Sequence, residues 1–300
     1  MTLGTEVLFE RDLLRGRTIG LVSNPASVTA TLDHVVDAAE AHGVRVGALF
    51  GPQHGFRSVA QENMIESPHA EDPRRHVPIY SLYSETRQPT AAMLAGLDAL
   101  VIDLQDVGTR IYTYIYTMAA CLRAAKTQGL PVVVCDRPNP ISGDRVEGPM
   151  LDPAFASFVG EYPIPMRHGM TIGELARLFN DHFGIGAKLE VVAMRGWSRA
   201  RYFDETGLTW VLPSPNMKAK PHAQKSRPQR QVSTTHSMRT LTVSRVRQNP
   251  ASSMVKPTCI PKTRNAATSV HAVLTGLTIS LPRRLGSAAK TRWPKRPGLK

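Results

Sequence analysis

The 300-residue chain holds 42% hydrophobic and 20% charged residues. That excludes a disordered polymer, and no uninterrupted apolar run reaches the roughly 18–20 residues of a membrane span. Its 37 Lys+Arg against 24 Asp+Glu, formally +13, invite a nucleic-acid reading, but the distribution removes it. Residues 1–217 hold every acidic residue and 19 basic ones, net −5, whereas residues 218–300 hold 18 basic residues and no acidic ones. A segment of that length ordinarily carries on the order of ten carboxylates, so the two parts need separate readings.

The first part alternates strand and helix in units of about 30 residues. Val7, Leu8, Phe9, Leu13 and Leu14, interrupted by charges, predict a short amphipathic helix. Arg17 to Ser23 predicts a strand, Leu32 to His42 a helix closed by Gly43, and Val44 to Phe50 a second strand. Val77 to Tyr80 reads as extended, and Thr90 can cap a helix ending at Gly96. Ala99 to Leu104 and Pro131 to Cys135 are near-continuous apolar runs, the pattern of strands buried on both faces. Between them Ile115, Met118, Ala119, Leu122 and Ala125 recur at helical spacing. Thr171 with Glu174 makes a capping box for a helix through Phe183, and Lys188 to Ala193 adds a last strand. The alternation predicts an α/β fold: a Rossmann-like, mostly parallel open sheet with helices on both faces.

The start of the chain lacks the basic head, apolar stretch and cleavage site of a signal peptide, which predicts a cytoplasmic protein. A start mis-assigned downstream of an export signal would instead place it in the periplasm or outside the cell. Cys121, Cys135 and Cys259 are odd in number and widely spaced, against a disulfide framework or a zinc knuckle. Cys121 and Cys135 read as buried thiols.

Ligands of such sheets sit beyond the carboxyl ends of the strands. There the sequence places Asn24, then Gln53 and His54 in GPQHGF, then Asp103, Asp106 and Arg110 in DLQDVGTR, then Asp136, Arg137 and Asn139 in DRPNP. Four polar endings on one edge predict a polar site. No G-x-G-x-x-G follows the first strand, and Walker, H-E-x-x-H and G-x-S-x-G patterns are absent, so no cofactor or metal is expected. Carboxylates, amides and arginines suit a polyhydroxylated or anionic small molecule handled by carboxyl acid–base chemistry.

Eight blocks in order, LFGPQHGFR, NMIESP, PIYSLYS, DLQDVGTRIYTYI, DRPNPISG, VEGPMLDP, SFVGEYPIPMRHGMTIGELARLFN and WVLPSPNM, carry a resemblance from about Leu3 to Met217. They resemble the NamZ-type exo-β-N-acetylmuramidases. The resemblance implies release of non-reducing-end N-acetylmuramic acid from peptidoglycan fragments. It also implies a Rossmann-like domain joined to a smaller C-terminal domain, with the cleft between them. Glycoside hydrolysis uses two carboxyl groups, one kept protonated. Glu66, Asp106 and Glu147 are the candidates for this work. Asn24, Gln53, His54, Asp103, Arg110, Asp136, Arg137, Asn139 and His168 are the candidates for binding the sugar. Asp103 also fits a structural role, and Asp136 could pair with the adjacent Arg137. Arg110 and Arg137 could grip the lactyl carboxylate, because a guanidinium fork matches it at two points. Tyr112, Tyr114 and Tyr116 read as packing residues, and Glu174 as a capping residue only.

From Lys218 onward Asp, Glu, Phe and Tyr disappear. The family blocks resembling P-T-L-D-T-A and G-T-N-L-S-E-G-R-G-T-T do not follow. Three explanations fit: a frameshift, a disordered basic arm for nucleic acid or an anionic polymer, or a divergent folded domain. The frameshift ranks first, because the change falls at a block edge with no Gly/Ser linker. Val270 to Leu281 is the one segment there that could pack, and the tail is expected to be disordered. The reading is therefore a muramidase-like N-terminal domain (1–217) and a basic tail (218–300) unable to replace the missing half, with activity weakened or lost. Rival readings are a lyase acting on the lactyl ether and a non-catalytic nucleic-acid or cell-wall binder using the tail.

Overall fold

The strands that alternate with helices in the sequence assemble into one seven-stranded sheet. In the computed structural model, residues 1–57, 66–215 and 217 are described, all within the first of two units, Met1–Gln231. The tail readings and Val270 to Leu281 lie outside the described residues, as does Asn63 to Ile65 of the NMIESP block. Chain order is α1 (Gly4–Glu10), β1 (Thr18–Ser23), α2 (Val35–Ala41), β2 (Arg45–Gly51), β3 (Ala70–Asp72), β4 (Val77–Ser81), α3 (Ala91–Leu94), β5 (Ala99–Asp103), α4 (Tyr114–Thr127), β6 (Val132–Cys135), β7 (Glu147–Met150), β8 (Pro165–Arg167), α5 (Ile172–Arg177) and β9 (Leu189–Val192).

Strand order is β3-β4-β2-β1-β5-β6-β9, parallel throughout except for the edge strand β3, and β7 and β8 form a separate antiparallel pair. From β1 the chain builds outward to β2 and β4, then returns to place β5 on the other side of β1. The β1–β5 boundary is therefore the switch point, where a crevice opens beyond the strand ends. Register aligns Ser23 with Asp103 at that edge, so the loops beginning at Asn24 and Leu104 leave side by side.

Both sheet faces are covered, which is why β5 and β6 read as continuous apolar runs. Val22, Phe50, Leu100, Ile102, Val132 and Val134 share a core with Met118, Leu122, Leu175 and Phe179 from α4, α5 and the turn that follows. Alternate residues point to the opposite face. There Leu21, Leu49, Val101 and Val133 are also buried, as are Leu8 of α1 and Val35 and Val36 of α2. At roughly 1.5–3 kcal/mol for each fully buried aliphatic side chain, these two layers supply the main driving force for folding.

Thr90 Oγ1 accepts from Met93 N–H, and Thr171 and Glu174 form the expected reciprocal cap. Two helices are shorter than their periodicity predicts. Thr29 Oγ1 accepts from Asp33 N–H and Thr31 donates to the Asp33 carboxylate, and this local turn takes Leu32 to a φ of 71°. The first helix after β1 therefore starts at Val35. The later one widens at Leu178–His182 into a π-helical turn, because the Asn180 side chain bonds the backbone of Ala187 on both sides. The short strands β3, β7 and β8 have no strong signal in the sequence. Among the described residues no helix is long and apolar enough to cross a membrane.

Candidate active site

At the switch point the polar residues divide into a buried scaffold and a smaller set with unmet bonding capacity. Asp103, the last residue of β5, is fully buried and accepts from Thr5 Oγ1 and Arg137 Nη2, each at 2.8 Å, and also from Arg137 Nε. Arg137 Nη2 donates further to Val28 O at 2.9 Å. The expected pairing of Arg137 with Asp136 is thus replaced by a buried pair with Asp103. The Arg137 side chain is 3% exposed.

Asp136 instead faces the start of α5 and accepts from Gly173 N–H at 2.8 Å and Arg137 N–H at 3.0 Å. A Cβ on residue 173 would stand 2.8 Å from that carboxylate oxygen, so only glycine permits the approach. Burial pushes the Asp136 carboxyl up to about 6, against the amide bonds that oppose the rise.

Several further candidates are buried and most of them bond within the fold. Asn24 Oδ1 accepts from Ala26 N–H and Ser27 Oγ, and its Nδ2 donates to Gln105 O at 3.4 Å. Asn139 Oδ1 accepts from Ile141 N–H, and its Nδ2 donates to Met170 O. Gln53 Oε1 accepts from Thr113 Oγ1 at 2.9 Å. His54 is buried in the turn after β2 with a φ of 73°. Arg110 Nη1 donates to Pro149 O and Ile164 O at 2.8 and 2.7 Å. Through Nη1 it clamps the β7–β8 segment to the sheet edge.

Asp106 and His168 are different. Asp106 is 4% exposed; its Oδ2 accepts from Gly108 N–H at 2.8 Å and lies 3.2 Å from His168 Nε2, off hydrogen-bond alignment. His168 Nδ1 accepts from Met170 N–H, so the proton of the neutral ring sits on Nε2, facing Asp106. Asp106 Oδ1 has no hydrogen-bond partner among the described residues. A buried, unsatisfied carboxylate oxygen costs about 1–3 kcal/mol or more and marks a place where a ligand or water completes the bonding.

Tyr114 and Tyr116 are fully buried, as packing residues should be. Tyr112 is half-buried, and burial raises its phenol above the ordinary range while a hydrogen bond from Ser214 and the nearby Asp106 charge act on the same group. Sequence reasoning missed Ser214. Its signal was its place in the WVLPSPNM block, 111 residues after Asp103 in the chain.

The other two carboxylate candidates lie outside this cluster. Glu147 is 56% exposed and bonded to Arg167 at 2.8 Å, and that bond and charge hold its carboxyl below the ordinary range. This is the reverse of what a protonated acid needs. Glu66 is exposed, 3.7 Å from Arg87, whose guanidinium lies 3.6 Å from the Tyr83 ring centroid. Cys121 and Cys135 are buried and their thiols are pushed up by that burial. Among the described residues no cluster of His, Cys, Asp and Glu could hold a metal.

Residues 19–221 match the family model described as exo-beta-N-acetylmuramidase NamZ, N-terminal. The chain is 54% identical over 205 residues to the peptidoglycan beta-N-acetylmuramidase NamZ of Bacillus subtilis (strain 168), covering 68% of this chain and 49% of that protein. Two solved structures of DUF1343 family proteins from Bacteroides fragilis NCTC 9343 share the fold. One has a TM-score of 0.66 and 39% identity over 71% of this chain and 55% of its own. The other has a TM-score of 0.58 and 31% identity over 67% and 54%. The chain thus spans about half the length of the relatives it matches. By the extent of the family match, with the fold in agreement, the chain belongs to the exo-beta-N-acetylmuramidase NamZ N-terminal family.

Proposed function

We propose that residues 1–217 are the N-terminal, sugar-binding half of a glycosidase that hydrolyses the bond of a non-reducing-end N-acetylmuramic acid in peptidoglycan fragments. The observation that carries the reading is the buried Asp106–His168 pair with its unsatisfied Oδ1, set at the switch point of a chain in this family. Asp106 does the acid–base work, and His168 holds the carboxylate's orientation and charge. Glu66, on an exposed segment beyond β2, is the candidate second carboxylate. Asp103, Arg137, Asn24, Asn139 and Arg110 hold the loops in place.

The domain needs the half that its relatives carry and residues 218–300 do not supply. Supporting this, Val146, Met150, Val159 and the 75%-exposed Phe155 crowd one segment around β7, and Ile111 beside β8 is exposed as well. Exposed apolar side chains grouped in this way mark an interface that lacks its partner.

The test joins residues 1–217 to the second half of the Bacillus subtilis relative and supplies a muramic acid–glucosamine disaccharide. Hydrolysis releases muramic acid with one water added. An unsaturated product without that water would establish the lyase reading instead.

A further inference from the structure

A cleft of about 620 Å3 runs along the start of α2, between the loops after β1 and β2 and the β3–β4 turn, lined by Pro25, His34, Phe56 and Arg57 among others. Its size suits a single sugar, since small-molecule sites run from about 300 to 1,000 Å3. Its lining residue Pro25 follows Asn24, which bonds the carbonyl of Gln105 in the loop that carries Asp106. Three guanidinia and two carboxylates face it, and they are not equally committed.

Arg75 is tied to Asp37, Glu40 and Asp72, and Arg74 bonds Asp37 at 2.9 Å. Asp72 is fully buried and already accepts from the backbone of Arg74 and Arg75 at 2.9 and 3.0 Å. Arg57, 60% exposed, reaches the same Asp72 oxygen through Nη2 at 3.4 Å, as Arg75 does at 3.5 Å, lengths at which a hydrogen bond is weak. Arg57 thus shares Asp72 with Arg75 through one nitrogen, and the rest of its exposed guanidinium is open to solvent. His34 adds no charge: burial holds it below its ordinary range, and its Nε2 lies 3.1 Å from Asn24 O. Its ring meets that of Phe56 edge-on, with centroids 5.5 Å apart. Phe56 and Arg57 therefore offer an apolar surface next to an available fork.

We infer that Arg57 is the specificity-determining residue that takes the lactyl carboxylate of a muramic acid residue whose ring packs against Phe56. The inference rests on the muramidase reading. It addresses a question the site itself raises, because Arg137 is buried against Asp103 and Arg110 spends Nη1 on two carbonyls. A planar fork holds a carboxylate by two charge-assisted bonds, and N-acetylglucosamine, lacking the lactyl group, gains nothing from it.

The experiment titrates the full chain with N-acetylmuramic acid and with N-acetylglucosamine by protein-observed NMR, for the wild type, Arg57→Ala and Arg74→Ala. The wild type is expected to prefer muramic acid by about tenfold, the equivalent of 1.4 kcal/mol. Arg57→Ala should lose that preference while keeping its unfolding midpoint, and Arg74→Ala should retain it. An Arg57→Ala protein that still prefers muramic acid overturns the inference and leaves the muramidase reading intact, as does loss of the preference in Arg74→Ala alone. A wild type that binds neither sugar, or both equally, also overturns the inference, while the muramidase reading is decided separately by hydrolysis of the disaccharide by the joined halves.

Discussion

Replacing Arg137 by methionine separates a structural guanidinium from a ligand-binding one. The side chain is 3% exposed and its partner Asp103 is fully buried. The substitution strips Asp103 of two donors and leaves it Thr5 alone. Breaking a buried pair from one side costs about 3–5 kcal/mol, because the remaining charge stays desolvated. For a folded unit of roughly 200 residues, at about 2–4 °C per kcal/mol, the melting point should fall by roughly 6–20 °C. Removing both charges in the double variant Asp103→Leu/Arg137→Met should cost much less, since no charge is left behind. Urea unfolding followed by circular dichroism on the wild type, both single variants and the double variant gives the coupling between the two sites. An Arg137→Met protein with an unchanged midpoint and abolished binding of N-acetylmuramic acid would refute the argument and return Arg137 to the ligand.

Asp136 gives a pH signature. Its carboxyl is raised from an ordinary 3.8 to about 6, so the native state binds a proton that the unfolded state releases. Its contribution to stability is complete below about pH 4 and is lost as pH rises through 6, about 3 kcal/mol in all. Asp136→Asn should flatten that part of the stability–pH curve, and an unchanged slope between pH 4 and 6.5 would contradict the assignment. Glu147→Gln, in residues 1–217 joined to the relative's second half, should leave muramic acid release within about twofold of the parent. A loss of 100-fold or more would restore Glu147 as the acid, since general acid–base groups contribute roughly 10²–10⁴-fold.

Much of this was legible because burial leaves a compositional trace. Ala99 to Asp103 and Val132 to Cys135 read as strands through their unbroken apolar runs, which two covered faces require. Thr90 and Thr171 announced helix starts through side-chain oxygens placed to accept the first amides. The strand Glu147–Met150, with a glycine and a proline in four exposed residues, carries no such trace. Partner choice was the least legible layer. Asp136 adjoins Arg137 in sequence, yet its carboxylate turns toward the amide of Gly173 while Arg137 reaches back 34 residues to Asp103. The placement of α5 and of β5 beside β6 decides that, and neither is written in residue type. Asp106 stood out from Asp103 by its position, three residues past the strand end, but only the packing of His168 against it exposed the unsatisfied oxygen.

The most direct test of the account is Asp106→Asn in residues 1–217 joined to the second half of the Bacillus subtilis relative, scored by muramic acid released from the disaccharide. The parent should release it, and the variant should fold with a similar melting point and lose at least about 100-fold in kcat, the lower end of the range for a general acid–base group. A folded variant that hydrolyses the disaccharide at the parental rate would contradict the assignment of Asp106 as the catalytic carboxylate.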